Sequence, residues 1–564
     1  MNTENAPLIS HRFLIALFLI VYLLFFVSGC GRVASVVSQS SQENEIEEES
    51  DDSSRQNSDF YGSMVSCLLK DEKTVSFTYS LPEIPQSDDS RLYLFAFELY
   101  ETCAFPENFD REPVASTRKK NRCELKWNFE SEQLFQKFVP AILRNGEYIP
   151  LSAGGCITNP ELLADYTVSV PEPKSKKGLL LDPLMLKTPM LTDLGVKYAI
   201  YNIPLSLIVG ETTNEAIPTI LYEYRGETYK FNGASINGYD DLFKYLTESG
   251  MNSTAIILND WNDNCLELIH PMARNKESGA YYYAINTAEK AGCRYLEAIA
   301  SFLTERYSGK EYGLVSNWVV ANEINQYKMW NYMETEDVTF YSGEFEKALR
   351  IFNNAAKSNY ADANVYFSID HDWNNNGGNN GDHYNAREIL ETINDIVREK
   401  GNYDWGIAIH PYPDPLTRVD YWTETYDKTR EAPILTMMNL STLTDVLEEE
   451  EFLDRSGEVR SITVTELGFS SFSGEKLQAA AFAYCYYILD ANPYVDSFIM
   501  NRQTDAIEEV KQGLAFGIYD VNQSPKYIFD VFKYIDTDEA EKYTEFMLDI
   551  LGADSLEEAL SWAQ

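Results

Sequence analysis

Two short segments of the chain end in a glutamate that follows an apolar, β-branched run. The first extends from Trp318 to Glu323 and the second from Ile462 to Glu466. A buried strand accepts the apolar residues readily, whereas a carboxylate at its end is costly unless it has a function. Two such carboxylates facing each other across one pocket could divide the roles of general acid/base and nucleophile between them.

The elements that would position these residues alternate between strand and amphipathic helix from about residue 191 onward. This alternation predicts an α/β fold, a (β/α)8 barrel with long loops at the carboxyl ends of its strands. An open doubly wound sheet is the alternative, although no Gly-x-Gly-x-x-Gly motif opens a helix here. We place the strands at Val196–Asn202, Ser253–Asn259, Tyr281–Asn286, Trp318–Glu323, Val365–Asp370, Gly406–His410, Ile462–Glu466 and Ser497–Asn501.

Polar or aromatic residues lie at or just beyond the ends of most of these predicted strands. Because the carboxyl ends of barrel strands share one face, these side chains would converge there. Sugars present many hydroxyl groups, and each buried donor or acceptor must be matched, so such a cleft suits a carbohydrate. The candidate substrate-binding residues at these ends are Asn202, Asn259, Trp261, Asn322, Asp370, His371, His410, Tyr412 and Arg502.

The residues at three of the predicted strand ends carry a family resemblance. Asn322-Glu323 on the fourth predicted strand, His410-x-Tyr412 on the sixth and Glu466 on the seventh resemble the signature of the clan A glycoside hydrolases. The chain also resembles bacterial members of that clan that remain functionally uncharacterised. The resemblance covers about residues 191–536.

The resemblance implies a retaining glycoside hydrolase with Glu323 as general acid/base and Glu466 as nucleophile. A retaining mechanism needs the two carboxyl groups roughly 5–5.5 Å apart. Asn322 would then bond the sugar 2-hydroxyl, and His410 and Tyr412 would orient Glu466 or line the subsite. No cofactor and no metal would be needed.

The chain departs from the clan pattern at the eighth strand, where many members place a tryptophan. Since Phe498 to Arg502 holds none, Trp261, Trp330 or Trp373 would supply the stacking surface for a sugar. Arg502 would bind a substrate carboxylate or pair with a nearby acid, and both interpretations stay open.

The polar segment from Asp370 to His383 has a composition that could suit a metal site. It lacks the glycine at position six and the glutamate at position twelve of a calcium loop. We therefore interpret it as a long active-site loop.

The amino terminus resembles a bacterial lipoprotein signal. A basic pair, His11-Arg12, precedes an apolar run from Phe13 to Val27, and small residues then lead to Cys30. The run is short for a membrane span and fits a signal peptide over residues 1–30, with Cys30 as the lipidated residue. An uncleaved single-pass anchor is the alternative. We expect the protein on the extracytoplasmic face of a bacterial membrane, lipid-anchored or secreted.

The remaining segments predict a modular chain. Residues 31–59 are polar and acidic and should form a disordered tether. Residues 60–158 contain short alternating strands that predict a small β-sandwich, 159–190 a connector, and 191–564 the barrel.

The composition limits the classes of molecule that the protein is expected to bind. The formal net charge of −42 argues against a nucleic-acid partner. We therefore expect a carbohydrate substrate, membrane contact through the lipid anchor alone, and a monomer.

Two alternatives to an enzyme remain at this stage. The first is a catalytically inactive, glycan-binding lipoprotein on the cell surface. The second is an envelope structural lipoprotein in which the barrel is only scaffold. A binding protein gains little from a buried pair of like charges, which favours catalysis.

Overall fold

The structure of the protein is a computed structural model that describes residues 61–563, apart from 168–172, 213, 215, 310 and 378–380. The predicted signal peptide, Cys30 and the tether over 31–59 lie outside the described residues. Within the described ranges, no helix has both the length and the apolar character needed to cross a membrane.

Two antiparallel sheets form the amino-terminal part, which confirms the predicted β-sandwich. Alternation along the strands creates the core, as in Arg122–Asn128, where every second side chain is buried. One sheet consists of β1 (Ser63–Asp71), β2 (Thr74–Ser80) and β5 (Arg122–Asn128), and the other of β3 (Arg91–Glu98), β4 (Ala115–Arg118), β6 (Gln136–Arg144), β7 (Glu147–Pro150) and β8 (Gly155–Cys156).

A closed barrel of eight parallel strands follows in the described part of the chain, which confirms the predicted (β/α)8 fold. Its strands are β9 (Lys177–Leu180), β10 (Tyr198–Pro204), β13 (Asn252–Leu258), β14 (Asn317–Val320), β15 (Asn364–Asp370), β16 (Trp405–His410), β17 (Ile462–Leu467) and β18 (Val495–Met500). The hairpin β11 (Ile220–Tyr224) and β12 (Glu227–Phe231) projects from the β10 connection.

Helices surround the barrel and continue to the carboxyl terminus. Their apolar faces pack on the outer side of the strands in one continuous core. They are α1 (Pro189–Thr192), α2 (Leu205–Ile208), α3 (Gly233–Glu248), α4 (Lys290–Arg306), α5 (Val338–Asn359), α6 (Ala386–Lys400), α7 (Ser441–Leu447), α8 (Glu475–Ala491), α9 (Ile507–Lys511), α10 (Ile528–Tyr534), α11 (Ala540–Thr544), α12 (Phe546–Leu551) and α13 (Leu556–Ser561).

Two strand predictions are wrong. The segment Tyr281–Asn286 forms only isolated bridges within the loop after β13. The first barrel strand is instead Lys177–Leu180, inside the segment for which we expected a connector. This strand is short and contains Gly178. A larger residue would not fit at this position, because an added Cβ would lie 2.3 Å from Ile499 Cδ1. One missed strand and one wrongly predicted strand both precede Glu323. The number of strands before Glu323 is therefore unchanged, and Glu323 still follows the fourth strand.

A buried ion network joins the sandwich to the barrel. Arg225, at the tip of the β11–β12 hairpin, contacts Glu98 of the sandwich at 2.9 Å and Glu297 of α4 at 3.2 Å. Arg294 contacts Glu98 at 2.8 Å from the same helix. Because Glu297 is fully buried, its pKa rises to about 8. These charges fix the sandwich against the outside of the barrel.

Candidate active site

Apolar side chains fill the barrel interior below the mouth. This inner cluster includes Ile200 of β10, Leu258 of β13, Val319 of β14, Ala408 of β16 and Ile499 of β18. Because side chains alternate along a strand, the residues two positions further on also face the barrel axis. By this rule, the side chains of Asn202, Asp260 and His410 point inward above the apolar cluster.

Glu323 follows the end of β14 in an unusual backbone conformation. Ala321 and Glu323 have φ values of 62° and 38°, in the left-handed region. This conformation costs a non-glycine residue about 1–2 kcal/mol and is concentrated at functional sites. The Glu323 N–H donates to Ser368 Oγ of β15 at 3.1 Å, which fixes the turn across the mouth of the barrel.

His410 holds the Glu323 carboxyl group. His410 Nδ1 lies 2.7 Å from Glu323 Oε1, and its Nε2 lies 3.1 Å from Thr465 Oγ1 and 3.4 Å from Ser368 Oγ. Both ring nitrogens therefore have partners. The prediction that His410 orients Glu466 or lines a subsite is wrong in its first part, because the ring is directed at the other glutamate.

Burial raises the pKa of Glu323, and the negative charges of Asp370 and Glu466 raise it further, whereas the hydrogen bond from His410 opposes the shift. Burial works to lower the pKa of His410, but the hydrogen bond to Glu323 and the charge of Glu466 outweigh it and raise that pKa. A glutamate with a raised pKa is suited to carry a proton near neutral pH.

Glu466 is held at the end of β17 by two donors. Tyr412 Oη donates to Glu466 Oε1 at 3.0 Å, and Asn501 Nδ2 donates to the same oxygen at 3.2 Å. Asn501 Nδ2 also donates to Tyr412 Oη at 2.9 Å. Both hydrogen bonds end on Oε1 of Glu466, so Oε2 of Glu466 accepts neither of them. The role expected for Tyr412 agrees with this contact.

The two glutamates occupy the same lumen. The charge of Glu466 contributes to the raised pKa of Glu323 and also to the raised pKa of His410, which contacts Glu323. Contacts link the two side chains as well, because His410 lies 2.7 Å from Glu323 and 3.1 Å from Thr465, the residue directly before Glu466.

A second carboxylate network adjoins Glu323. Asn325 Nδ2 and Gln326 Nε2 donate to the two oxygens of Asp370 at 2.5 and 2.7 Å, and Gln326 Nε2 also reaches Asp372 at 3.0 Å. His383 Nε2 lies 3.2 Å from Asp372. These contacts connect the polar loop after β15 to the turn that carries Glu323. In the described residues, no group of three or more potential ligands is arranged to hold a metal ion.

Three predicted substrate-binding residues have other roles. Asn259 faces away from the axis and donates to the carbonyl oxygens of Leu268 and Tyr283, both at 3.0 Å, so it shapes the loop after β13. Trp373 is 0% exposed and donates to the Arg430 carbonyl oxygen, so it cannot present a ring to a sugar.

Arg502 is the third of these residues. It is 4% exposed and lies 2.5 Å from Glu509 Oε1. The expectation that it binds a substrate carboxylate is therefore replaced by its alternative, a buried ion pair.

The other predicted residues stay at or near the mouth. Trp330 is half-buried and stacks on Tyr281 with centroids 4.8 Å apart, above the inner apolar cluster. Trp261 is half-buried, and its indole N–H donates to Asp263. Asn322, half-buried, directly precedes Glu323, and His371 follows Asp370 at the end of β15.

Several site residues did not enter the predicted set. Asn501 directly follows β18, so its position was a usable signal. Ser368 and Thr465 lie on inward positions of their strands, and strand alternation could have identified them. Tyr282 lies in the loop after β13 and packs on the inner cluster; because the segment was taken for a barrel strand, its placement over the mouth was missed.

Comparison with known proteins gives one family match and several similar solved structures. The family described as "Family of unknown function (DUF5722)" matches residues 169–559. No curated protein matches the chain.

Among solved structures, a family 39 glycoside hydrolase from the gut symbiont Bacteroides cellulosilyticus WH2 is similar, with 13% identity, 82% of this chain and 80% of that chain covered, and a TM-score of 0.42. A Bacteroides uniformis β-glucuronidase is similar at 9% identity and a TM-score of 0.37, with 84% of this chain covered but only 49% of that chain. A family 1 β-glucosidase from Thermotoga maritima is similar at 13% identity and a TM-score of 0.36, with 65% and 85% covered.

The family match agrees with the predicted resemblance to a functionally uncharacterised family. At such low identity and TM-scores, the similar structures assign no activity to this chain. The roles of its residues rest on the contacts in its own site.

Proposed function

The chain belongs to the family of unknown function DUF5722, and we propose that it is a retaining glycoside hydrolase. The observation that carries this proposal is the pair Glu323 and Glu466, each held by one oxygen at the ends of two barrel strands. His410 forms a hydrogen bond with Oε1 of Glu323, and Tyr412 donates a hydrogen bond to Oε1 of Glu466. In each carboxyl group, Oε2 remains for the reaction.

In the first step, Glu466 Oε2 attacks the anomeric carbon while the bond to the leaving oxygen breaks. Glu323 Oε2 gives its proton to that oxygen, and a covalent glycosyl-enzyme remains on Glu466. His410 donates from Nδ1 to Oε1 throughout, which leaves the proton on Oε2.

In the second step, the roles of Glu323 reverse. Esterification removes the negative charge of Glu466, and that charge is one of the influences that raise the pKa of Glu323. The pKa of Glu323 therefore falls in the intermediate, and the carboxylate can accept a proton from water. The water oxygen attacks the anomeric carbon and releases Glu466, so the product keeps the configuration of the substrate.

The same proposal includes the location of the enzyme. The apolar run before Cys30 supports export and a lipid anchor on the extracytoplasmic face of the membrane, with the catalytic barrel acting on an oligo- or polysaccharide there. Fractionation of cells that express the wild type or Cys30→Ser tests this part. The wild type should sediment with membranes. The variant should not sediment with membranes, or its signal peptide should remain uncleaved.

The catalytic test traps the intermediate. The full chain, purified in detergent, is incubated with a panel of 2-deoxy-2-fluoroglycosyl fluorides, and labelled peptides are mapped by mass spectrometry. We expect label on Glu466, none in Glu466→Gln, and persistent label in Glu323→Ala, because a fluoride leaving group needs no general acid.

Hydrolysis of natural glycans is measured in parallel, and the product anomer is followed by NMR. Glu466→Gln should lower kcat by about 10³-fold or more. An inverted product would refute double displacement. Glycan binding by the wild type without turnover on any glycan would instead favour an inactive binding protein.

A further inference from the structure

Asp260 is a buried carboxylate at the mouth that the proposed mechanism does not use. It lies two positions beyond Leu258 of the inner cluster, so it faces the barrel axis, and it is only 8% exposed. Ser206 fixes its orientation from the neighbouring connection. The Ser206 N–H donates to Asp260 Oδ1 at 2.9 Å, and the Ser206 hydroxyl donates to Oδ2.

Tyr282 connects Asp260 with the catalytic pair. Its ring packs on the inner apolar cluster beneath the mouth. Burial raises the pKa of Tyr282, and the charges of Asp260 and Glu466 raise it further. The charges of both carboxylates therefore act on one ring of the inner cluster, and strand alternation from Leu258 directs Asp260 into the lumen above that cluster.

Cations near the mouth are committed to other partners. Arg502 pairs with Glu509, and Lys526 pairs with Asp505 at 2.8 Å. The histidines there also lie beside carboxylates: His410 contacts Glu323, His371 lies 3.9 Å from Asp372, and His383 lies 3.2 Å from Asp372. Within the described residues, no ion pair includes Asp260. Burial raises the pKa of Asp260, and only the bonds from Ser206 and the backbone oppose this shift.

Each oxygen of Asp260 accepts one hydrogen bond from Ser206, and a carboxylate has about four acceptor positions in total. We propose that these remaining positions make Asp260 a recognition residue for the glycone, and that the cleft takes an uncharged or amino-bearing sugar and rejects a uronate. A hydroxyl pair or an ammonium group would donate to Asp260. A sugar carboxylate would instead face several like charges, because the cations described near the mouth already contact carboxylates. This inference rests on the proposed function, because it assigns the glycone of the same site.

The experiment compares three aryl glycosides of one stereochemical series with the same leaving group: a hexoside, an amino-hexoside and a hexuronide. We expect kcat/KM of the full chain to be at least about 100-fold higher for one of the first two than for the uronide. Asp260→Asn should lower that kcat/KM by roughly 10–100-fold and reduce the discrimination against the uronide. Asp395→Asn, an exposed carboxylate on α6, is the matched control and should match the wild type.

The ratio of rates separates recognition from a folding defect, since partial unfolding lowers all rates together. Asp260→Glu keeps the charge and should retain the discrimination even if its rate falls. A uronide hydrolysed as fast as the hexoside, or an unchanged ratio in Asp260→Asn, would overturn the inference while the hydrolase stands.

Absence of hydrolysis with every glycoside would instead count against the proposed function. For that case, calorimetric binding of neutral and uronate oligosaccharides still measures the glycone preference. Tighter binding of the uronate would overturn the inference.

Discussion

The contact between His410 and Glu323 leads to a prediction about the pH profile. The hydrogen bond from His410 Nδ1 to Glu323 Oε1 opposes the other influences on the glutamate and lowers its pKa. His410→Gln should remove this donor, because a glutamine amide replaces Nε2 of histidine rather than Nδ1. The pKa of Glu323 then rises, and the basic limb of kcat/KM moves to higher pH.

The magnitude follows from the geometry. A charge-assisted hydrogen bond of this length is worth about 1.5–3 kcal/mol. Since 1.36 kcal/mol corresponds to one pKa unit, the limb should move upward by about 1–2 pH units. The rate at the optimum should also fall by roughly 10–100-fold, because the carboxyl group loses its fixed orientation.

His410→Asn is the matched control, because its amide nitrogen replaces Nδ1 and can still donate to Glu323. Its basic limb should lie closer to that of the wild type. The assay is the pH dependence of kcat/KM on the best substrate. If the limb in His410→Gln stays in place or moves to lower pH, the assigned role of the hydrogen bond is wrong. If the limb disappears, His410 and not Glu323 is the titrating group.

Three further outcomes test the site and its support. In Asp370→Asn, loss of a charge that raises the pKa of Glu323 should move the basic limb of the pH profile to lower pH, whereas the exposed Asp362→Asn should leave it unchanged. Trp373→Phe should lower the free energy of unfolding by about 1–3 kcal/mol in urea titrations but change kcat/KM less than about threefold; a large loss of activity at unchanged stability would restore its predicted role in sugar stacking. Arg225→Gln should lower the free energy of unfolding by about 1.5–3 kcal/mol, because it removes one of the two arginines that contact the buried glutamates and leaves Arg294 as the other; an effect below about 1 kcal/mol in urea would contradict a buried network.

Periodicity predicted the barrel well because most of its strands are continuous apolar runs. Periodicity does not reveal a strand that lacks this pattern, such as Lys177–Leu180, where Gly178 adjoins the Ile499 side chain. A loop can also have the residue pattern of a strand, as Tyr281–Asn286 does, because its apolar residues cover the mouth of the barrel. Both features come from tertiary packing, which residue types along one segment do not encode.

The polar residues at the strand ends predicted which segments form the candidate site. They did not predict which side chains contact each other. Asn259 and Asp260 are adjacent, and only the side of the strand on which each lies separates a loop contact from an inward carboxylate. The partner of Arg502 could not be read from the sequence, because Glu509 lies on the following helix α9. These contacts depend on loop geometry.

The position of Glu466 shows how much depends on one local irregularity. Thr465 faces the lumen, since its hydroxyl contacts His410, while Val464 packs on the outer core. In a regular strand, Glu466 would therefore face outward with Val464. The pairing of β17 with β18 instead shifts between Val464 and Leu467, and Glu466 turns inward to meet Tyr412. Such irregularities occur beside active sites because they redirect a side chain, so the opposed carboxylates depend on this shift as much as on the two glutamates themselves.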